Sequence, residues 1–437
     1  MNNAACGSRM RRWGWLIVLF VIAAGLRAGW VCFRYGGPAS PGHEYPDEKA
    51  YQDVARSLAA GDGLVDEFGY RATYMPGYPA FLALFADGSD AFSPGRSYWA
   101  RLTQAILGAF IAPVVYILAA GWLSLAGFVS EQAGSRTAVP VLAGLAVAID
   151  PFLVFFSGLL LTETLFVVAL ALAWTCVLSL CRRDRRVSPA PVIGAGLMLW
   201  LCLMLRPSAV VLVPPVAVAI VLARGFDRQG LAAAVSVLLL VAVGLSPWAA
   251  RNRRVIGEWR WLTTRGGISL YDGFQSQATG ASDLAHTKTM PQVQGLSEVE
   301  WDRFFRNQAW SAIRQDPGRA VRLAWAKFRR TWSPWPNVEN YRGSAAGLAG
   351  ALWTICILLS AFPGWWGYRR AVGAWMVLLL PVAAFTLLHM VYVGSVRYRL
   401  PVMPFVTILA AAGLVRLVAV LRGGCPVGGR TPSSPLR

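Results

Sequence analysis

Charge is scarce in this chain. Only 14% of its 437 residues are Asp, Glu, Lys or Arg, where a soluble domain carries about a quarter. That scarcity excludes an ordinary water-soluble globule. Lysine is nearly absent, standing only at 49, 288 and 327, so the cations are almost all arginine. Arginine is the better bidentate ligand for phosphate, although a GC-rich genome would give the same bias. The seven cysteines fall in apolar runs or beside basic loops, at 6, 32, 176, 181, 202, 356 and 425. No spacing among them matches a zinc site or a disulfide framework.

What is present is apolar surface. Hydrophobic residues make up 56% and mean hydropathy is +0.48. The net charge of +19 and pI of 10.3 do not point to nucleic acid, because the basic residues sit between apolar runs and form no basic domain. Membrane orientation and anionic lipid account for them better. The composition therefore predicts an all-α, polytopic membrane protein.

Arg9, Arg11 and Arg12 precede an apolar run from about Trp13 to Phe33. At 1.5 Å per residue it crosses a bilayer core of about 30 Å. It outlasts a signal-peptide core and contains Arg27, so it reads as a retained span with a cytoplasmic N-terminus. Further spans read at roughly 100–126, 138–157 and 159–180. The run 191–223 is too long for one span and is cut at Arg206-Pro207, which predicts two short spans. Spans at 230–250, 346–363, 373–392 and 401–421 bring the expectation to about ten, with both termini inside. The predicted organisation is a transmembrane module over 1–250 with a first external loop at 34–99, an external region at 251–345, membrane helices over 346–421, and a disordered cytoplasmic tail at 422–437.

The most informative stretch is His43 to Pro79. It opens on Asp47-Glu48 after Pro46. Tyr51, Val54, Ala55 and Leu58 then mark one face of an amphipathic helix over about 48–60. The stretch ends on Arg71 and the turn Met75-Pro76-Gly77-Tyr78-Pro79. In the external region, Ser297 and Glu300 form a capping-box pattern, and a second helix is predicted from Pro317 to Arg330. Seven tryptophans there suit a membrane interface.

Tyr45-Pro46-Asp47-Glu48, Tyr51, Arg71 and Pro76-Gly77-Tyr78-Pro79 resemble the first external loop of GT-C glycosyltransferases, nearest to the protein O-mannosyltransferase and aminoarabinose lipid A transferase families. Leu161-Thr162-Glu163, Leu205-Arg206-Pro207, Pro247-Trp248 with Arg251-Asn252, and Arg397-Tyr398-Arg399-Leu400-Pro401 extend the resemblance from about 14 to 421. It implies a bacterial inner-membrane enzyme with an external active site. Such an enzyme transfers a sugar from a polyprenyl-phosphate donor to an envelope lipid, glycan or protein, usually with inversion and without a cofactor or metal. The region 251–345 matches no acceptor-binding pattern, so the acceptor stays open.

Glycosyl transfer needs a base for the acceptor and stabilisation of a leaving phosphate. Asp47 is the candidate base; its other reading is a helix N-cap. Glu48 positions Asp47 or the acceptor, or favours the helix N-terminus. His43 and Glu44 with this pair match no firm metal pattern. Tyr51, Arg71 and Tyr78 are substrate-binding candidates from the resemblance. Glu163 and Arg206 are membrane-embedded charges, read as functional or as snorkelling. Arg251, Lys327, Arg397 and Arg399, with Tyr398, are candidates for the lipid phosphate or for ordinary headgroup contact. A lipid-linked-sugar flippase is the main alternative, but no internal repeat of the kind transporters show is visible. An enzyme-free accessory subunit is another, against which the intact acidic pair speaks.

Overall fold

A computed structural model describes residues 2–37, 45–86, 92–127, 133–285, 287 and 290–422. His43, Glu44 and the tail beyond Arg422 lie outside them. Among the described residues the chain is helical throughout. In order, the helices are α1 (Asn2–Tyr35), α2 (Pro46–Ala59), α3 (Gly77–Ala83), α4 (Pro94–Ala109), α5 (Ile111–Leu125), α6 (Ala133–Ile149), α7 (Pro151–Ser157), α8 (Glu163–Leu180), α9 (Pro189–Leu205) and α10 (Val213–Arg224). They continue as α11 (Arg228–Ile256), α12 (Gly266–Phe274), α13 (Glu298–Gln315), α14 (Pro317–Thr331), α15 (Glu339–Arg342), α16 (Ala345–Tyr368), α17 (Val372–Val391), α18 (Val396–Arg399) and α19 (Met403–Leu421).

Among the described residues eight helical stretches are long and apolar enough to cross a membrane, three of them consecutive helices taken together: Pro94–Leu125, Pro207–Arg224 and Val396–Leu421. A pair bent by 49° (α6 with α7) makes a ninth, and the apolar α9, at 17 residues, is shorter; the expectation of about ten is roughly consistent with these segments. The chain is a multi-pass membrane protein. The run 191–223 does divide at Arg206, whose extended backbone (φ −146°, ψ 125°) ends α9 before Pro207 opens a 3-10 turn. Within the expected span 138–157 the helix bends by 49° at Asp150. Asp150 stops α6 and caps α7 by accepting from the amides of Phe152 (2.9 Å) and Leu153 (3.0 Å).

Prolines inside the spans free carbonyls that the bilayer cannot hydrate. Pro381 in α17 has no N–H for the carbonyl of Val377, and the fully buried indole of Trp174 donates to it instead at 2.7 Å. Pro247 in α11 frees the carbonyl of Val243, which accepts from the Ser246 hydroxyl at 2.7 Å. The fully buried Trp122 donates to the Ala374 carbonyl at 3.0 Å, so two tryptophans tie α17 to α5 and α8.

The helices between α11 and α16 cover the end of the bundle that carries α2 and α3. The predicted capping box is present: Glu300 accepts from the Ser297 amide at 2.9 Å. Beside it, Glu298 accepts from the backbone amides of Arg71 (2.7 Å) and Ala72 (2.8 Å). The helices between α11 and α16 thus grip the first loop.

Candidate active site

α2 begins where Pro46 sets the first helical residue, a position at which a missing N–H costs nothing. Tyr45 is the N-cap, and the Glu48 carboxylate reaches back to accept from its amide at 3.2 Å. The N-cap reading of Asp47 is therefore corrected: Asp47 lies inside the helix, and Glu48 supplies the capping carboxylate. Neighbouring residues on a helix diverge by roughly 100°. Glu48 turns inward and is fully buried, whereas the Asp47 side chain is 55% exposed.

Glu48 is held by Arg101 (2.6 Å) and by the Leu160 amide (2.6 Å). Arg101 also donates to the Gly158 carbonyl at 2.5 Å. These bonds seat α2 against the turn that leads into α8, whose first residue is Glu163. Glu163 is buried and accepts through Oε1 from Arg206 at 2.9 Å and from Arg397 Nε. Arg397 spans the gap: its Nη1 donates to Asp47 Oδ2 at 2.6 Å. Two carboxylates and two guanidiniums from four separate segments thus form one network.

Partial desolvation in the recess would by itself raise the Asp47 carboxyl, but the charge and hydrogen bond of Arg397, with Arg265 and Arg206 behind, hold it below its ordinary value. Tyr51 and Tyr74 line the same recess with ring centroids 5.1 Å apart, and Tyr78 lies 5.0 Å from Tyr51. Burial pushes the hydroxyls of Tyr51, Tyr74 and Tyr78 up, so they remain protonated donors. An apolar groove of ≈ 500 Å³ runs along α7 and α16, between Trp30, Phe152, Phe155, Tyr341 and Gly350, and ends on Arg397. Among the described residues no group of three or more His, Cys, Asp or Glu side chains converges as metal ligands would.

No protein-family model matches the sequence, and no curated protein does. Solved structures do match. The oligosaccharyltransferase of Archaeoglobus fulgidus in its apo form superposes with TM-score 0.57 at 15% identity, covering 97% of this chain and 53% of that one. The AglB oligosaccharyltransferase of the same organism, in complex with an inhibitory peptide and a dolichol-phosphate, gives 0.53 at 15% identity, covering 98% and 53%. The chain has the GT-C fold. It spans about half the length of those archaeal proteins. ArnT from Cupriavidus metallidurans, bound to undecaprenyl phosphate, aligns at a TM-score of 0.40 and 14% identity over 93% of this chain and 79% of that one, too low to carry an argument.

Of the residues singled out from sequence, the GT-C fold brings Asp47, Tyr51, Glu163, Arg206, Arg397 and Tyr398 to one recess, while Tyr78 is fully buried behind Tyr51 and donates to Gln104 Oε1 at 2.6 Å. Tyr398 stacks on His389 at 4.1 Å, and the Arg206 guanidinium lies 5.8 Å from its ring. Others stand elsewhere. Arg251 donates to the Arg71 carbonyl at 2.6 Å, and Arg71 lies where α13 grips the first loop. Arg399 is buried against the Ser333 carbonyl and the Thr354 hydroxyl (3.0 Å). Lys327 has no exposed surface and donates to the Val391 carbonyl at 2.7 Å. Sequence reasoning missed Arg265 and Tyr74, whose hydroxyl Arg265 bonds, and His389. Nothing in the sequence separates Arg265 from the other arginines of 251–345. His389, an ionisable side chain inside an apolar run, carried a legible signal.

Proposed function

We propose that the chain is a membrane glycosyltransferase that moves a sugar from a polyprenyl-phosphate donor to an envelope acceptor: lipid, glycan or protein. The observation that carries this reading is the Asp47–Arg397 bond at the mouth of the apolar groove, a proton acceptor beside a phosphate ligand. The groove has the volume of a small-molecule site, about 300–1,000 Å³, and an apolar wall of aromatic and aliphatic side chains suited to isoprene units. The archaeal oligosaccharyltransferase of this fold was solved with dolichol-phosphate, a lipid of that class.

In the proposed reaction, the Asp47 carboxylate takes the acceptor proton as the acceptor oxygen attacks the anomeric carbon. The carbon–oxygen bond to phosphate breaks on the opposite face, and its electron pair leaves with the polyprenyl phosphate. Arg397 and Arg206 bear the charge that develops on that phosphate, and the anomeric centre inverts. Glu163 fixes both guanidiniums through one oxygen. Donor phosphate and Asp47 compete for Arg397, so donor arrival loosens the ion pair and makes Asp47 a stronger base. We place the protein in a bacterial inner membrane, both termini cytoplasmic and this site outside.

The test is transfer from radiolabelled polyprenyl-phosphate sugars in membranes carrying the protein, with envelope lipids and glycans compared by mass spectrometry in a deletion strain. Label passing from polyprenyl phosphate to an acceptor is the expected result. Donor that only changes leaflet, with no acceptor labelled, would overturn the transferase reading in favour of a flippase.

A further inference from the structure

The loop between α17 and α18, Tyr392–Ser395, leads directly into Arg397. We infer that Lys327 is a positioning residue: with Arg330 and Asn337 it holds this loop, and through the loop it aims Arg397 at Asp47. The inference rests on the donor reading above for the role of Arg397, and on geometry for the rest.

Every grip comes from outside the membrane spans. Leu323, Lys327 and Thr331 recur every fourth residue on the buried face of α14. Lys327 Nζ donates to the carbonyl of Val391, the last residue of α17, at 2.7 Å. Carbonyls at a helix C-terminus lack helical partners and attract cations. The same ammonium lies 3.7 Å from the ring centroid of Phe274 on α12. Three residues on, Arg330 Nε donates to the Gly394 carbonyl at 3.3 Å. The Gly394 amide donates to the Gly280 carbonyl at 2.9 Å, and the Val396 amide to Asn337 Oδ1 at 2.6 Å.

Two glycines let these parts approach. A Cβ on Gly273 would stand 2.3 Å from the Tyr392 carbonyl oxygen and 2.9 Å from Lys327 Nζ; one on Gly394 would stand 2.3 Å from the Lys327 carbonyl oxygen. Both distances to backbone oxygen are shorter than real contacts, so the loop fits only against glycine. Burying a lysine is costly. Burial, ahead of the opposing field of Asp272 on α12 and the reinforcing one of Arg319 on α14, brings the ammonium down to about 7. The Lys327 Nζ bond goes to the backbone of α17, not to solvent or an acid, which fits a residue whose work is done through the loop.

The test uses the full chain in lipid nanodiscs with undecaprenyl phosphate as the probe, comparing Lys327→Met, Gly394→Ala, Arg397→Ala, and the milder Arg330→Gln and Asn337→Ala. Hydrogen exchange is read without ligand. Faster exchange at 391–398, with α16 and α19 unchanged, is expected for Lys327→Met, and in smaller degree for the two milder variants. Exchange unchanged at 391–398, or faster throughout the bundle in the milder variants as well, overturns the inference. For the lipid phosphate, Lys327→Met should weaken binding about tenfold and add little on top of Arg397→Ala, because the two act on one interaction. Additive losses would mean that Lys327 does not act through Arg397. If wild-type protein fails to bind the probe, the donor reading falls, and the exchange measurement still decides whether Lys327 orders the loop.

Discussion

Arg397 Nη1 lies 2.6 Å from Asp47 Oδ2, across 350 residues of sequence. A cation that precedes the final span is thereby fastened to the second residue of α2. The same guanidinium is shared with Glu163 at the head of α8. This arginine thereby joins the first loop to the head of α8 and the start of the last span, beside the separate tie of Glu48 to Arg101 and the Leu160 amide.

Replacing Asp47 by Asn separates base from scaffold. Glu48, not Asp47, caps α2, so the helix should stay formed. Loss of a general base costs on the order of 10²–10⁴ in rate. Transfer from polyprenyl-phosphate sugar, normalised to folded protein, should fall by that much, with the thermal midpoint little changed. Activity above about a tenth of wild type would be a smaller loss than a base gives and would move the role to Glu163.

The pH profile should carry the mark of Arg397. A carboxyl lowered in the folded protein loses its charge only as pH falls through that lowered value. The acid limb of kcat/KM should therefore lie below the usual carboxylate range of about 4. Donor phosphate draws Arg397 away, so the acid limb of kcat should lie at higher pH than that of kcat/KM. The residual activity of Arg397→Gln should show a raised limb in both. Coincident limbs in the wild type would argue against competition for this guanidinium.

Arg397 and Arg399 look alike in sequence and should behave differently. Arg397→Ala should weaken donor affinity or turnover by about tenfold or more, as expected for a lost charge-assisted bond. Arg399→Met leaves the carbonyls of Thr331 and Ser333 without their donor. It should lose about 1–3 kcal/mol of stability while keeping more activity per folded molecule than Arg397→Ala. Unfolding midpoints and normalised kinetics on the two variants check this directly.

Trp174 and Pro381 should be coupled. Trp174→Phe leaves the Val377 carbonyl unpaired in a dry environment, a loss of about 1–3 kcal/mol. Pro381→Ala restores an N–H that can take that carbonyl within α17. The cost of Trp174→Phe should shrink in the Pro381→Ala background, measured by a double-mutant cycle on detergent-solubilised protein. Strict additivity would mean that the indole bond contributes nothing.

Much of this was legible in the residue order. Runs of apolar residues set the spans, because hydrocarbon thickness imposes a length and every backbone group must bond within its own helix. The 3.6-residue period marked one face of α2, although the structure starts that helix at Pro46, ahead of the expected 48. The break at Arg206-Pro207 was readable because proline cannot accept the helical bond pattern. Which arginines share a recess was not readable. Arg397 and Arg399 stand two apart on the same short helix, yet one meets Asp47 and the other Thr354. Asp47 and Glu48 are adjacent, yet one faces the recess and the other is sealed against Arg101. Lys327 has the pattern of a headgroup contact and is instead buried under α12. Local pattern reports the face a residue occupies on its own helix. Its partner depends on how the helices cross, which is set by side-chain packing between segments hundreds of residues apart, and only the tertiary structure decides that.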